Sequence, residues 1–95
     1  MYLEQIESGA KLYVGIQGVG VSLTSEYIGM IKGECLIIKS PTPYINIKQK
    51  LFPGNTMVIK TSYKDSSIIF QTNIIESIKR PRIVILEYPE SVQKK

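Results

Sequence analysis

The sequence has no histidine, no tryptophan and a single cysteine in 95 residues. Without histidine it lacks the commonest general acid–base group, and Ser–His or Cys–His nucleophile pairs are ruled out. One cysteine allows no internal disulfide and no Cys- or His-based metal cluster. Cys35 sits in the apolar run "ECLII", so it reads as a small buried hydrophobe and not a nucleophile. A chain with no disulfide framework fits a reducing compartment, and the cytoplasm is the expected location. No window reaches the roughly 20 apolar residues of a membrane span. The opening "MYLEQIESG" is acidic and has no export-type apolar stretch. The carboxylates Glu4, Glu7, Glu26, Glu34, Asp65, Glu76, Glu87 and Glu90 fall in turns and at strand ends, and no two are placed as an acid and a base. The chain therefore reads as non-catalytic.

What is present favours strands. Hydrophobic residues make up 43% of the chain, and the most frequent of them is isoleucine, a type that suits a pleated, half-buried surface. Charged residues are 21%, a proportion that argues against disorder.

Tyr2, Leu3 and Ile6 fit one face of a short helical turn or an extended lead-in. Beyond Gly9 the period is two. Leu12, Val14 and Ile16 alternate with Lys11, Tyr13, Gly15 and Gln17. A turn is expected at "GVG" over 18–20, with Val19, Val21 and Leu23 then opening a strand that runs through Tyr27 to Ile31. Gly29 marks a bulge or bend within it. Lys32-Gly33 is a hairpin turn. "ECLIIK" is a central strand expected to be buried on both faces, and Ser40-Pro41-Thr42-Pro43 stops its pairing. Tyr44, Ile45 and Ile47 are expected to pair briefly, and Pro53-Gly54 is a turn. Met57, Ile59, Thr61 and Tyr63 share a face. So do Ile68, Phe70, Thr72 and Ile74 on the next strand. Pro81 breaks the chain before "IVILEY", Pro89 ends that last strand, and the final residues read as loose.

About six or seven strands in 95 residues, with no intervening helical pattern, exclude a βαβ sheet and leave an all-β fold. A short chain removes its strand edges most simply by closing. The expectation is one domain over 1–95, a small antiparallel β-barrel.

The net charge is +4, with a pI near 9.2. "KRPR" at 79–82 is the densest basic stretch. Lys79, Arg80 and Arg82 are candidates for contacting an anion or a partner, and the same residues also read as a charged turn that keeps a strand edge soluble. The tail Lys94-Lys95 adds further positive charge. The glycine-rich "GIQGVG" lacks the spacing and following helix of a dinucleotide motif. Tyr13, Tyr27, Tyr63 and Tyr88 lie on predicted strands. If exposed beside cations they would form a platform for single-stranded nucleic acid, but alternation places Tyr27 with Val21 and Leu23, and Tyr63 with Met57 and Ile59, so both are expected in the core.

The order of motifs carries a resemblance. "IESGAKLYV", "SEYIGMIKGECLIIKSP", "LFPGNTMVIKTSYKDSSIIFQTNIIE" and "RPRIVILEYPESV" follow one another from Ile6 to Val92. Together they resemble the N-terminal (PilZN) domain of YcgR-type flagellar brake proteins. That resemblance implies a small split β-barrel, in agreement with the strand count. It also implies a regulatory role in cyclic di-GMP control of flagellar motility. The family grips the nucleotide through an Arg-x-x-x-Arg motif after the Tyr-Pro segment and an Asp/Asn-x-Ser-x-x-Gly motif in a following PilZ barrel. Neither motif is found here, and Arg80 and Arg82 precede the last strand at the wrong spacing. No nucleotide-binding residue is carried over and no cofactor is expected in this chain. The expected partner is a protein, either a PilZ domain or a flagellar motor component. A homodimer built by edge pairing is compatible with this. The alternative is a basic barrel that binds single-stranded nucleic acid.

Overall fold

The computed structural model describes residues 2–94; the side chains of Tyr2, Asn46, Gln93 and Lys94 lie outside the description. A short 3-10 turn, Tyr2–Gln5, leads into β1 (Lys11–Ile16), β2 (Leu23–Ile31) and β3 (Cys35–Lys39). Two 3-10 turns, Tyr44–Asn46 and Lys48–Lys50, precede β4 (Thr56–Tyr63), β5 (Ser66–Lys79), β6 (Arg82–Glu87) and the two-residue β7 (Gln93–Lys94).

All pairings are antiparallel, in the order β4-β1-β2-β3-β6-β5-β7, and a further β4–β5 pairing closes six of the strands into a barrel. Two strands make the closure possible by changing partner halfway. The first part of β2 pairs with β1 and the rest with β3, with a register shift between Tyr27 and Gly29. The first part of β5 pairs with β4 and the rest with β6, with a shift between Ile74 and Glu76. An extra residue bends and twists a strand, which is what a barrel corner needs.

The alternation of apolar residues decides what fills the interior. Leu12, Val14, Ile16, Leu23, Leu36, Ile38, Met57, Ile59, Ile68, Phe70, Ile74, Val84 and Leu86 are all buried. Leu3 from the leading turn and Ile6 just after it join them; they are two of the three residues expected to share a face, and the side chain of the third, Tyr2, lies outside the described residues. Thr61 and Thr72 also point inward and stay satisfied. Thr61 Oγ1 donates to the Lys11 carbonyl at 2.9 Å, and Thr72 Oγ1 donates to the Glu87 carbonyl.

Four local expectations need correction. Val21 is exposed and precedes β2, because the chain is still turning there and the Val19 amide bonds back to the Ile16 carbonyl. β3 buries one face only: Leu36 and Ile38 are enclosed, while Cys35 and Ile37 are half-buried. The Tyr44–Lys50 segment coils into 3-10 turns and does not pair as a strand. The end of the chain is not loose throughout, since Gln93 and Lys94 pair with Ile69 and Ile68; Lys95 is outside the described residues. The turns at Lys32-Gly33 and Pro53-Gly54 fall where they were expected. Gly54 has φ +90° and Asn55 bonds back to Phe52 across Pro53-Gly54, as a Pro-Gly turn requires.

Candidate interaction surface

The basic turn is built by the β5–β6 hairpin. Lys79 ends β5 and pairs with Arg82, which opens β6, leaving Arg80-Pro81 at the tip with a cis peptide between them. All three candidate cations are exposed. One of them is held in place. The Arg82 guanidinium lies over the Tyr44 ring, 4.5 Å from its centroid, a distance at which the ring face attracts a cation. The Arg82 carbonyl also accepts the Ser40 amide at 3.0 Å. The hairpin tip is thus fastened to the Ser40–Tyr44 segment. That link joins residues far apart in sequence, and no local pattern announces it.

The Tyr44–Asn55 segment is itself pinned. Ile47 and Leu51 are buried, the Ile47 amide bonds to the Tyr44 carbonyl, and the Lys50 amide bonds to the Ile47 carbonyl. Asn55 is buried and uses both ends of its amide. Nδ2 donates to the carbonyls of Lys50 (2.7 Å) and Gln17 (3.2 Å), and Oδ1 accepts the Thr56 amide at 3.0 Å. In the sequence Asn55 carries one signal, its place just after the Pro53-Gly54 turn.

Two other surface features bear on function. A cleft of ≈ 580 Å³ opens beside β5, lined by Phe70, Thr72, Asn73, Tyr88, Pro89 and Glu90 among others. It lies where β6 has ended and β7 has not yet begun to pair. On the outer face of β1, Tyr13 is 53% exposed, with the Lys11 ammonium 5.2 Å from its ring centroid and Lys60 directly across the β1–β4 pairing. The other tyrosines of the nucleic-acid reading are placed differently. Tyr27 is buried, and Tyr63 and Tyr88 are half-buried against the core. Burial pushes the Tyr27 hydroxyl above its ordinary pKa, and Tyr88 adds to the shift. Among the described residues, no three Cys, Asp or Glu side chains gather as a metal site, and no helix is long and apolar enough to cross a membrane.

The fold defines the class: a small antiparallel β-barrel, closed by two strands that each serve two neighbours. The chain belongs to the family described as PilZNR, flagellar protein YcgR, whose family model matches residues 7–89. That span includes every strand of the closed barrel, from Lys11 to Glu87. No curated protein matches the chain.

Proposed function

We propose that this barrel is a non-catalytic regulatory module of cyclic di-GMP signalling that acts on flagellar motility by binding a protein partner in the cytoplasm. The observation that carries the reading is the match of the YcgR family model across the whole closed barrel. The partner is a PilZ domain or a flagellar motor component. The barrel offers a rigid body and a fastened basic turn, and the nucleotide acts elsewhere by biasing how the two partners sit together. Lys79, Arg80 and Arg82 are the contact residues of this reading, and the barrel itself holds no nucleotide. Amide-shift titration of the labelled chain with a PilZ domain, with and without cyclic di-GMP, tests it. Saturable shifts that include Lys79–Arg82 are expected, and the Arg80→Ala/Arg82→Ala variant should weaken them. Shifts with cyclic di-GMP alone would overturn the assignment of the ligand to the partner.

A second reading rests on one observation, the exposed Tyr13 between Lys11 and Lys60. An aromatic ring flanked by cations can stack a base. Binding of a single-stranded oligonucleotide that falls steeply with salt and is lost in Tyr13→Ala would favour it.

A further inference from the structure

We propose that the surface of the Tyr44–Phe52 segment, which adjoins the Lys79–Arg82 turn assigned above to a protein partner, docks on an anionic lipid bilayer. Two independent features meet there. The first is apolar. Ile45 is 76% exposed, the highest value of any large hydrophobic residue in the described chain, and Phe52 is 50% exposed. Their exposure is built in, because the buried Ile47 and Leu51 and the Asn55 side chain hold the segment against the barrel. A third exposed side chain, Ile75, follows the Ile74 carbonyl that accepts the Gly54 amide at 2.7 Å.

The second feature is charge. Between Glu34 and Asp65 the sequence has no carboxylate, while Lys48 and Lys50 lie between the two exposed apolar tips. Tyr44 brings Arg82, and with it the Lys79–Arg82 turn, to the same segment. The ion pairs among the described residues are Lys32–Glu4 and Lys39–Glu26, so no carboxylate neutralises these cations. Glu76, next to Ile75, is the nearest acid in sequence to this surface.

The interleaving chooses the occupant. A protein interface tends to gather its apolar side chains into a central patch with charge at the rim. Here two separate apolar tips, Ile45 and Phe52, flank a pair of lysines, Lys48 and Lys50, with no apolar patch between them. In a bilayer interface such tips sink to the acyl boundary while long cationic side chains stay at phosphate depth. Clustered cations supply the attraction to anionic headgroups.

Co-sedimentation of the full chain with phosphatidylcholine vesicles, alone and mixed about 2:1 with phosphatidylglycerol, tests the proposal, since the cationic term acts only on anionic lipid. Binding is expected to the mixed vesicles and not to phosphatidylcholine alone, and it should weaken as salt rises. Lys48→Ala and Lys50→Ala should each lower partitioning by about fivefold. Ile45→Ser and Phe52→Ser should each lower it by a similar factor, roughly that expected for a partly inserted apolar side chain. Tyr13→Ser, on the β1 face, should leave it unchanged. No binding to mixed vesicles would overturn the proposal. So would binding that ignores Ile45→Ser and Phe52→Ser, which would reduce it to plain ionic attraction. If Ile45→Ser abolished binding of a protein partner while vesicles stayed inert, the surface would belong to that protein.

Discussion

Asn55 Nδ2 donates to the Lys50 carbonyl at 2.7 Å, closing the Tyr44–Lys50 segment onto the start of β4. The same nitrogen reaches the Gln17 carbonyl after β1. One buried amide therefore fixes two connections to each other. Asn55→Ala would leave these carbonyls and the Thr56 amide without their partner, at a cost of about 2–3 kcal/mol. Urea unfolding should show that loss, and hydrogen exchange should show the Tyr44–Lys50 amides opening before the strands do.

The Arg82–Tyr44 pair makes a smaller and more local prediction. It sits at an exposed turn, so breaking it should cost about 0.5–1 kcal/mol. A double-mutant cycle with Arg82→Ala and Tyr44→Leu should return a coupling energy in that range. A coupling near zero would mean that the guanidinium is not held over the ring in solution.

Tyr27 ties stability to alkaline pH. Its hydroxyl is raised by burial in the folded barrel, with Tyr88 as a second cause, while in the unfolded chain it ionises near pH 10. Above that pH the unfolded state gives up a proton that the folded state keeps. The unfolded state then binds fewer protons, and stability falls as pH rises toward the folded pKa. Below about pH 10 the contribution is complete and flat. Denaturant unfolding at increasing pH should show this decline in the wild-type chain, and Tyr27→Phe should remove that part of it.

Thr72 lies where β5 is paired with β4 on one side and faces the cleft on the other, and its bond to the Glu87 carbonyl fastens that second side. Thr72→Val keeps the shape and removes the donor, so it should cost about 1 kcal/mol. For comparison, Leu36→Ala empties a fully enclosed site between β2 and β6 and should cost about 2–5 kcal/mol. That is a large part of the roughly 5–15 kcal/mol that holds a domain folded. Thermal unfolding would rank the two.

The strand faces were legible because inward side chains come every second residue. Leu12, Val14 and Ile16 could face only one way, and the same holds for Met57 and Ile59. The corner in β2 was marked by Gly29. The matching corner in β5 falls between Ile74 and Glu76, where no glycine or proline signals it. "YINIKQK" misled because its alternation mimics a strand. A strand would put Ile45 and Ile47 on one face, whereas the 3-10 turns leave Ile45 exposed and bury Ile47. β7 is too short to leave a pattern. The basic turn could be located in the sequence, but its attachment to Tyr44 is a tertiary contact with no local trace. The exposure of Ile45 and Phe52 depends on what the barrel end leaves uncovered, which composition does not encode.

Because β1 pairs with β4 and β3 with β6, the ring is completed late during synthesis. When β1 leaves the ribosome, its partner β4 does not yet exist: Ile16 has to wait for Met57, and Cys35 for Glu87. Folding dominated by such distant pairings runs on the order of milliseconds to seconds. Until β6 arrives, the nascent chain carries open β3 and β5 edges able to pair with another chain. The seam that leaves the finished barrel without a long free edge is thus the last part of it to be sewn.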